Sequence, residues 1–151
     1  MKRARLPILV VLLLLAAWLY LPPFAFTFIG DDFMQQWRIR MFLDAPLQVV
    51  RVLRPGWTDW YYRPLQHAWF LANRLAFGLN PFGYYLLQAW WHTLAVALLY
   101  RLARGLRLPA WAALLAAALF AFNGQHQLTV NWISSIAIIM GGVFSLLAAV
   151  L

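Results

Sequence analysis

Apolar residues run almost unbroken from Leu6 to Ile29, and a helix needs roughly 20 of them to cross a bilayer. That stretch predicts a first membrane span over residues 6–29, in which Pro22-Pro23 kink or end the regular helix. Three more apolar runs follow, over residues 82–102, 108–122 and 133–151. The second is opened by Asn80-Pro81, and the third is short and alanine-rich. The pattern predicts an all-α fold: a polytopic transmembrane helix bundle of about four spans, one membrane domain over 1–151, with polar connections at 30–81 and 123–132. The last run lacks a polar flank, so the chain reads as the front part of a longer protein. A cleaved signal peptide is the rival reading of the first run. Trp18, Tyr20 and the two prolines stand where cleavage requires small residues, so an uncleaved anchor is expected.

The first connection carries two further helical patterns, both expected to be amphipathic and interfacial. From Asp32 to Leu43, Phe33, Trp37 and Met41 recur at i, i+4 and i+8 among Gln35, Gln36, Arg38 and Arg40. That mixture of aromatic and basic residues suits a helix lying in the membrane interface. Further on, Arg54-Pro55-Gly56 marks a turn and Trp57, Trp60, Tyr61 and Tyr62 form an aromatic cluster. In Tyr62-Arg63-Pro64-Leu65 the proline suits the first turn of a helix reaching about Gly78. On it His67, Leu71 and Arg74 share one face, and Gln66, Phe70, Asn73 and Phe77 another.

Composition agrees with a membrane protein: 65% of residues are hydrophobic, 17% aromatic and only 11% charged, against roughly 25% charged in a soluble domain. With no cysteine, disulfides, thiolate catalysis and cysteine metal sites are excluded. The net charge of +8 is not a nucleic-acid signal, because the basic residues cluster around the spans. Lys2, Arg3 and Arg5 precede the first, and Arg101, Arg104 and Arg107 separate the second from the third. This positive-inside pattern places the amino terminus in the cytoplasm of a multi-pass protein of the cell (inner) membrane. Residues 30–81 and 123–132 then share the external side. Six more arginines, at 38, 40, 51, 54, 63 and 74, lie in the first external loop with all four acidic residues of the chain.

Two of those acidic residues, Asp31 and Asp32, are adjacent at the outer end of the first run. A carboxylate at a membrane face is costly unless solvated or paired, which points to chemistry there. The plainer account makes Asp32 the N-cap of a helix with Gln35 at N3, a capping-box variant worth about 1 kcal/mol. Arg63, with Tyr62, Arg38 and Arg74, suggests a cationic, aromatic-lined groove for an anionic headgroup, since the guanidinium fork fits phosphate. Polar groups that simply face water are the alternative. His67 joins the polar candidates. His92, inside the second span, is expected to make a structural interhelical hydrogen bond, and His126 lies in the second external loop, on the side of the aspartates. Ala137, Gly141, Ser145 and Ala149 repeat every four residues, as do Ala113, Ala117 and Ala121. Such small-residue ridges predict close packing of the third and fourth spans. Two aspartates alone make a poor Mg²⁺ or Mn²⁺ site, so no metal and no other cofactor is expected.

Asp31-Asp32-Phe33 after the first run, Tyr62-Arg63-Pro64-Leu65, and Leu79-Asn80-Pro81-Phe82-Gly83-Tyr84 resemble, in that order, the start of GT-C glycosyltransferases. The likeness is to the protein O-mannosyltransferase-like branch, including the tetratricopeptide-repeat transmembrane mannosyltransferases. Gln88 to Arg104 and Phe120 to Ser134 extend it. The resemblance implies sugar transfer from a polyisoprenyl-phosphate-linked donor on the external face. It assigns Asp31 or Asp32 as the base for an acceptor hydroxyl, Arg63 to the donor phosphate, and Arg38 or Arg74 as helpers. His126 falls where the family has the second histidine of a His-Pro-x-His motif, but Asn123-Gly124 replace the His-Pro, Leu128 replaces a frequent Glu, and the family carries more spans. The rival function is a non-catalytic multi-pass protein that binds membrane lipids by their anionic headgroups, or an assembly subunit for further transmembrane helices.

Overall fold

The computed structural model describes residues 5–21, 27–45, 47, 50 and 62–151, with side chains from residue 7 onward. Lys2, Arg3, the Pro22-Pro23 pair, Arg51, the 54–56 turn, Trp57, Asp59, Trp60 and Tyr61 lie outside the described residues. The described residues form helices and no strand: α1 (Arg5–Leu19), α2 (Asp31–Asp44), α3 (Pro64–Phe77), α4 (Pro81–Gly105), α5 (Ala110–Ala121), the short α6 (His126–Val130), a 3₁₀ turn (Ile133–Ser135) and α7 (Ile136–Val150).

Local chemistry sets most of these boundaries. α3 starts on Pro64 and stops at Gly78, whose φ of 61° is open to glycine without strain. Asn80 caps α4 by accepting the Phe82 N–H at 3.1 Å, with Pro81 in the first turn. α5 begins just after Pro109. α1 ends at Leu19, well short of the predicted residue 29, and Thr27–Ile29 are not helical. At the other end of α4, the Leu108 N–H reaches back to the Ala103 carbonyl at 3.1 Å, and Arg107 takes a φ of 64°. Closing that turn through a left-handed arginine costs about 1–2 kcal/mol.

α4 is the axis of the bundle. Its 25 residues extend about 37 Å at roughly 1.5 Å each, and α1, α5 and α7 all pack on it. The alanine ridge of α5 is fully buried at Ala113, Ala117 and Ala121, against α4 and α1. The expected pairing of that ridge with α7 is not what forms. α7 instead turns Ile136, Ile139, Met140 and Val143 toward the core and leaves Gly141, Ser145 and Ala149 exposed. Branched and long side chains bury more apolar area against α4 than the small ones would, and burial scales with area.

By length and composition, one stretch of the described residues suffices to cross a membrane, Ile133–Val150. Two further apolar helices, Pro7–Leu19 and Ala110–Ala121, are shorter. The outside is apolar on all of these elements: Trp18 is 72% exposed, Trp111 69%, Leu119 68% and Ile138 66%. The inside at one end is polar. α2 buries Asp32, Gln35, Gln36 and Arg38, and α3 buries Gln66, His67 and Asn73. Meanwhile Phe33, Met34 and Trp37 on α2 are 60%, 54% and 59% exposed. α2 does not form the predicted amphipathic face: Ile39 and Phe42 are buried alongside those polar groups, and Asp31, Arg40 and Asp44 are exposed alongside the aromatic ones.

Gly83 sits where the Phe77 ring lies flat on α4, and a Cβ there would fall within the van der Waals envelope of that ring. Alanine improves helix propensity by about 1 kcal/mol, whereas overpacking costs about 1–3 kcal/mol. Gly83→Ala should therefore lower the thermal midpoint in detergent. In a Phe77→Ala background the same change should become neutral or stabilising.

Candidate functional site

The first two turns of α2, the start of α3 and the final helical segment converge on one cavity of about 350 Å³. From α2 come Asp31, Met34, Gln35 and Arg38, positions i, i+3, i+4 and i+7, which is one stripe of a helix. Arg63 and Gln66 enter from the start of α3, and Trp132, Ser134, Ser135 and Ile138 from the last segment. Helix N-termini carry partial positive charge and unsatisfied N–H groups. Together with two guanidinium groups they make this end of the cavity suited to an anion, while Asp31 adds one exposed carboxylate.

Asp32 does different work. It is fully buried and sits in the first turn of α2, whose N-cap is Gly30 at φ 51°. The expected capping box with Gln35 does not form: no side chain caps this end, because the carboxylate is engaged elsewhere. One oxygen accepts the Ile29 N–H at 3.0 Å. The other accepts both the Ser134 N–H at 2.7 Å and the Ser134 hydroxyl at 2.6 Å. Burial pushes the Asp32 carboxyl above its ordinary pKa despite these three donors, which pull it down, and the neighbouring Asp31 charge adds to the rise.

Ser134 is the hub. Its carbonyl accepts the Gln66 amide N–H at 3.1 Å, and the Gln66 amide oxygen accepts from Arg63 at 3.5 Å. A continuous chain of hydrogen bonds therefore runs from α2 through Ser134 to the arginine of α3. From α4, the Gln88 amide donates to the Thr129 and Trp132 carbonyls at 3.0 and 2.8 Å. The Ser135 hydroxyl donates to the same two carbonyls. The backbone that presents Trp132 and Ser134 is thereby fixed from three sides.

The structure divides the residues singled out in the sequence. Asp31, Arg38 and Arg63 share the cavity wall. Tyr62 lines a neighbouring apolar groove of about 240 Å³, with Arg63, Leu65, Ala137, Gly141 and Phe144. Arg74 is at the far end of α3, about 16 Å along the helix from Arg63, and does not line the cavity. His67 is buried with its ring edge-on to Phe42 at 6.5 Å. His92 and His126 meet each other, with ring centroids 5.2 Å apart, in a second cavity of about 520 Å³ beside Phe120. Among the described residues, Ile138 is the one wall residue common to that cavity and the Asp31 cavity. His92 makes the expected interhelical bond, to the Ala121 carbonyl at 3.4 Å. Burial lowers the pKa of the His126 imidazole, favouring its neutral form. Among the described residues, no three His, Asp or Glu side chains come together as a metal site.

Sequence reasoning missed Ser134, Trp132, Gln88 and the cavity-lining role of Gln35. An amide inside an apolar run was the one available signal for Gln88, and the Ser134-Ser135 pair at the head of the last run was the signal for the hub. Compared with known proteins, the chain matches no family model, no curated protein and no solved structure.

Asp32→Asn replaces an acceptor with an amide that must face one of three donors, so it should lower stability at neutral pH by about 1–3 kcal/mol. Because the folded pKa is raised, the folded state takes up a proton more readily than the unfolded chain. The Asp32 contribution is therefore greatest below the ordinary carboxylate value and declines as pH rises through the folded one. Relative to the non-titrating Asn variant, the wild type should gain stability on acidification across that window, measured as a difference in unfolding midpoints.

Proposed function

We propose that this is a GT-C-like membrane glycosyltransferase, or the front part of one, that moves a sugar from a polyisoprenyl-phosphate donor to an acceptor hydroxyl on the external face. The observation that carries this reading is the meeting of Asp31, Arg38 and Arg63 around one cavity, where the N-terminal parts of α2, α3 and the last helical segment come together. It is supported by the ordered likeness of Asp31-Asp32-Phe33, Tyr62-Arg63-Pro64-Leu65 and Leu79–Tyr84 to that family. Arg101, Arg104 and Arg107 are exposed at the opposite end of α4. That arrangement agrees with a cytoplasmic amino terminus, an external cavity and four helical spans in the inner membrane.

In this reading the Asp31 carboxylate takes the proton of the acceptor hydroxyl as its oxygen attacks the anomeric carbon. The carbon–oxygen bond to the phosphate breaks, and the polyisoprenyl phosphate leaves with the bonding pair. Arg63 and Arg38 meet the charge that develops on the leaving phosphate, where fixed donors contribute most. Asp32 positions Asp31 and holds α2 against Ser134. The exposed Gly141, Ser145 and Ala149 of α7 favour a second role beside this one, as a docking ridge for further transmembrane helices.

The test is transfer of labelled sugar from a panel of polyisoprenyl-phosphate donors, in membranes carrying the protein of the full reading frame. Asp31→Asn should reduce turnover about 10²–10⁴-fold, the usual contribution of a positioned base, with normal expression. Arg63→Lys keeps the charge but loses the fork, and should raise the apparent KM for donor more than it lowers kcat. Undiminished transfer in Asp31→Asn would remove this aspartate from the mechanism.

A further inference from the structure

The cavity has more structure than an anion site requires. Its charged and amide side chains, Asp31, Gln35, Arg38, Arg63 and Gln66, come from α2 and the start of α3, and Ser134 and Ser135 add hydroxyls from the last segment. Apolar surface comes from the last segment, through Trp132 and Ile138, with Met34 of α2 beside them. A pyranose has the matching duality: hydroxyls around its edge and C–H groups on its faces. Gln66 is already committed to Arg63 and Ser134. Gln35 is not. It is only 6% exposed, and its amide oxygen has no hydrogen-bond partner among the described residues. Leaving a buried acceptor unmet costs about 1–3 kcal/mol, so a ligand that supplies a hydroxyl donor there gains by the match.

Trp132 is the complementary element. Its side chain is 39% exposed although it lines the cavity. The backbone beneath it is clamped, its carbonyl accepting from the Gln88 amide at 2.8 Å, the Ser135 hydroxyl at 2.6 Å and the Ser135 N–H at 3.0 Å. With its backbone clamped, the indole has only its two side-chain torsions to lose on binding. We infer that Trp132 and Gln35 form a pyranose subsite, the indole stacking on a C–H face of the sugar and the Gln35 amide oxygen accepting one ring hydroxyl. This inference rests on the transferase reading of the same cavity and adds to it the residues that would choose the sugar.

The experiment measures binding to the full chain in detergent by ligand-observed NMR. The probes are inorganic phosphate, sn-glycerol 3-phosphate, a hexopyranosyl 1-phosphate and its four singly deoxygenated forms. The wild type should favour the hexosyl phosphate over glycerol phosphate by about tenfold. Trp132→Ala should abolish that preference without changing phosphate affinity, and Trp132→Phe should restore most of it. One deoxy sugar should bind weakly to the wild type and as well as its parent to Gln35→Leu, because a site built around a hydroxyl rejects its absence. Equal affinity for glycerol phosphate and hexosyl phosphate would overturn the subsite, as would uniform losses across all deoxy sugars in both proteins. The two readings fail separately. A sugar preference without transfer leaves the subsite standing and sinks the transferase, whereas transfer without any Trp132 or Gln35 dependence does the reverse.

Discussion

The rest of this molecule depends on one buried carboxylate. Asp32 accepts three hydrogen bonds, two of them from Ser134, and so ties the helix after the first apolar run to the head of the last. A buried charge is tolerated only when its lone pairs are met. Here they are met by backbone and hydroxyl donors rather than by a cation, which leaves the arginines of the same neighbourhood to other partners. The cavity exists because this tie brings the first turn of α2 against the 3₁₀ turn, with α3 locked to the same carbonyl through Gln66.

Around that tie the usual distribution of polarity is partly reversed. On α2, Phe33, Met34 and Trp37 face outward beside the charged Arg40 and Asp44, while Asp32, Gln35, Gln36 and Arg38 face inward together with Ile39 and Phe42. In water this would be unstable, because exposed apolar area is penalised and buried polar groups must be compensated. In an apolar surround the penalty on exposed apolar area vanishes, while the buried polar groups still require partners, which the Asp32–Ser134–Gln66 bonds supply. The same reversal separates the two cavities: one charged and amide-lined, the other holding a pair of histidines among apolar walls.

Much of this was legible in the chain, and the reason is local. Pro64, Asn80-Pro81, Pro109 and Gly78 are helix punctuation whose meaning is independent of tertiary context, so the helices of the first loop and the start of α4 fall where they are expected. The meeting of Asp31 with Arg63 was suggested only by a resemblance. What was not legible is long-range. Nothing in periodicity distinguishes Asp31 from Asp32, and the capping pattern at Asp32-Gln35 was outcompeted by a serine far along the chain. The small-residue ridges were readable as ridges, but their partner was not, because which helix offers the larger apolar face is decided by packing. Arg74 and His67 lie on the expected helix, yet a helix of 14 residues carries its two ends too far apart for all its polar groups to share one site.

The Asp32–Ser134 contact also bridges 102 positions of sequence, and that separation is a statement about time. A chain synthesised from its amino terminus presents Asp31 and Asp32 long before residue 134 exists. Until then the carboxylate lacks the serine that donates to it, and its oxygens stay hydrated. The chamber therefore cannot close before residue 134 has been made. A lesion at the head of the final helix would be felt as a failure of the first loop to mature.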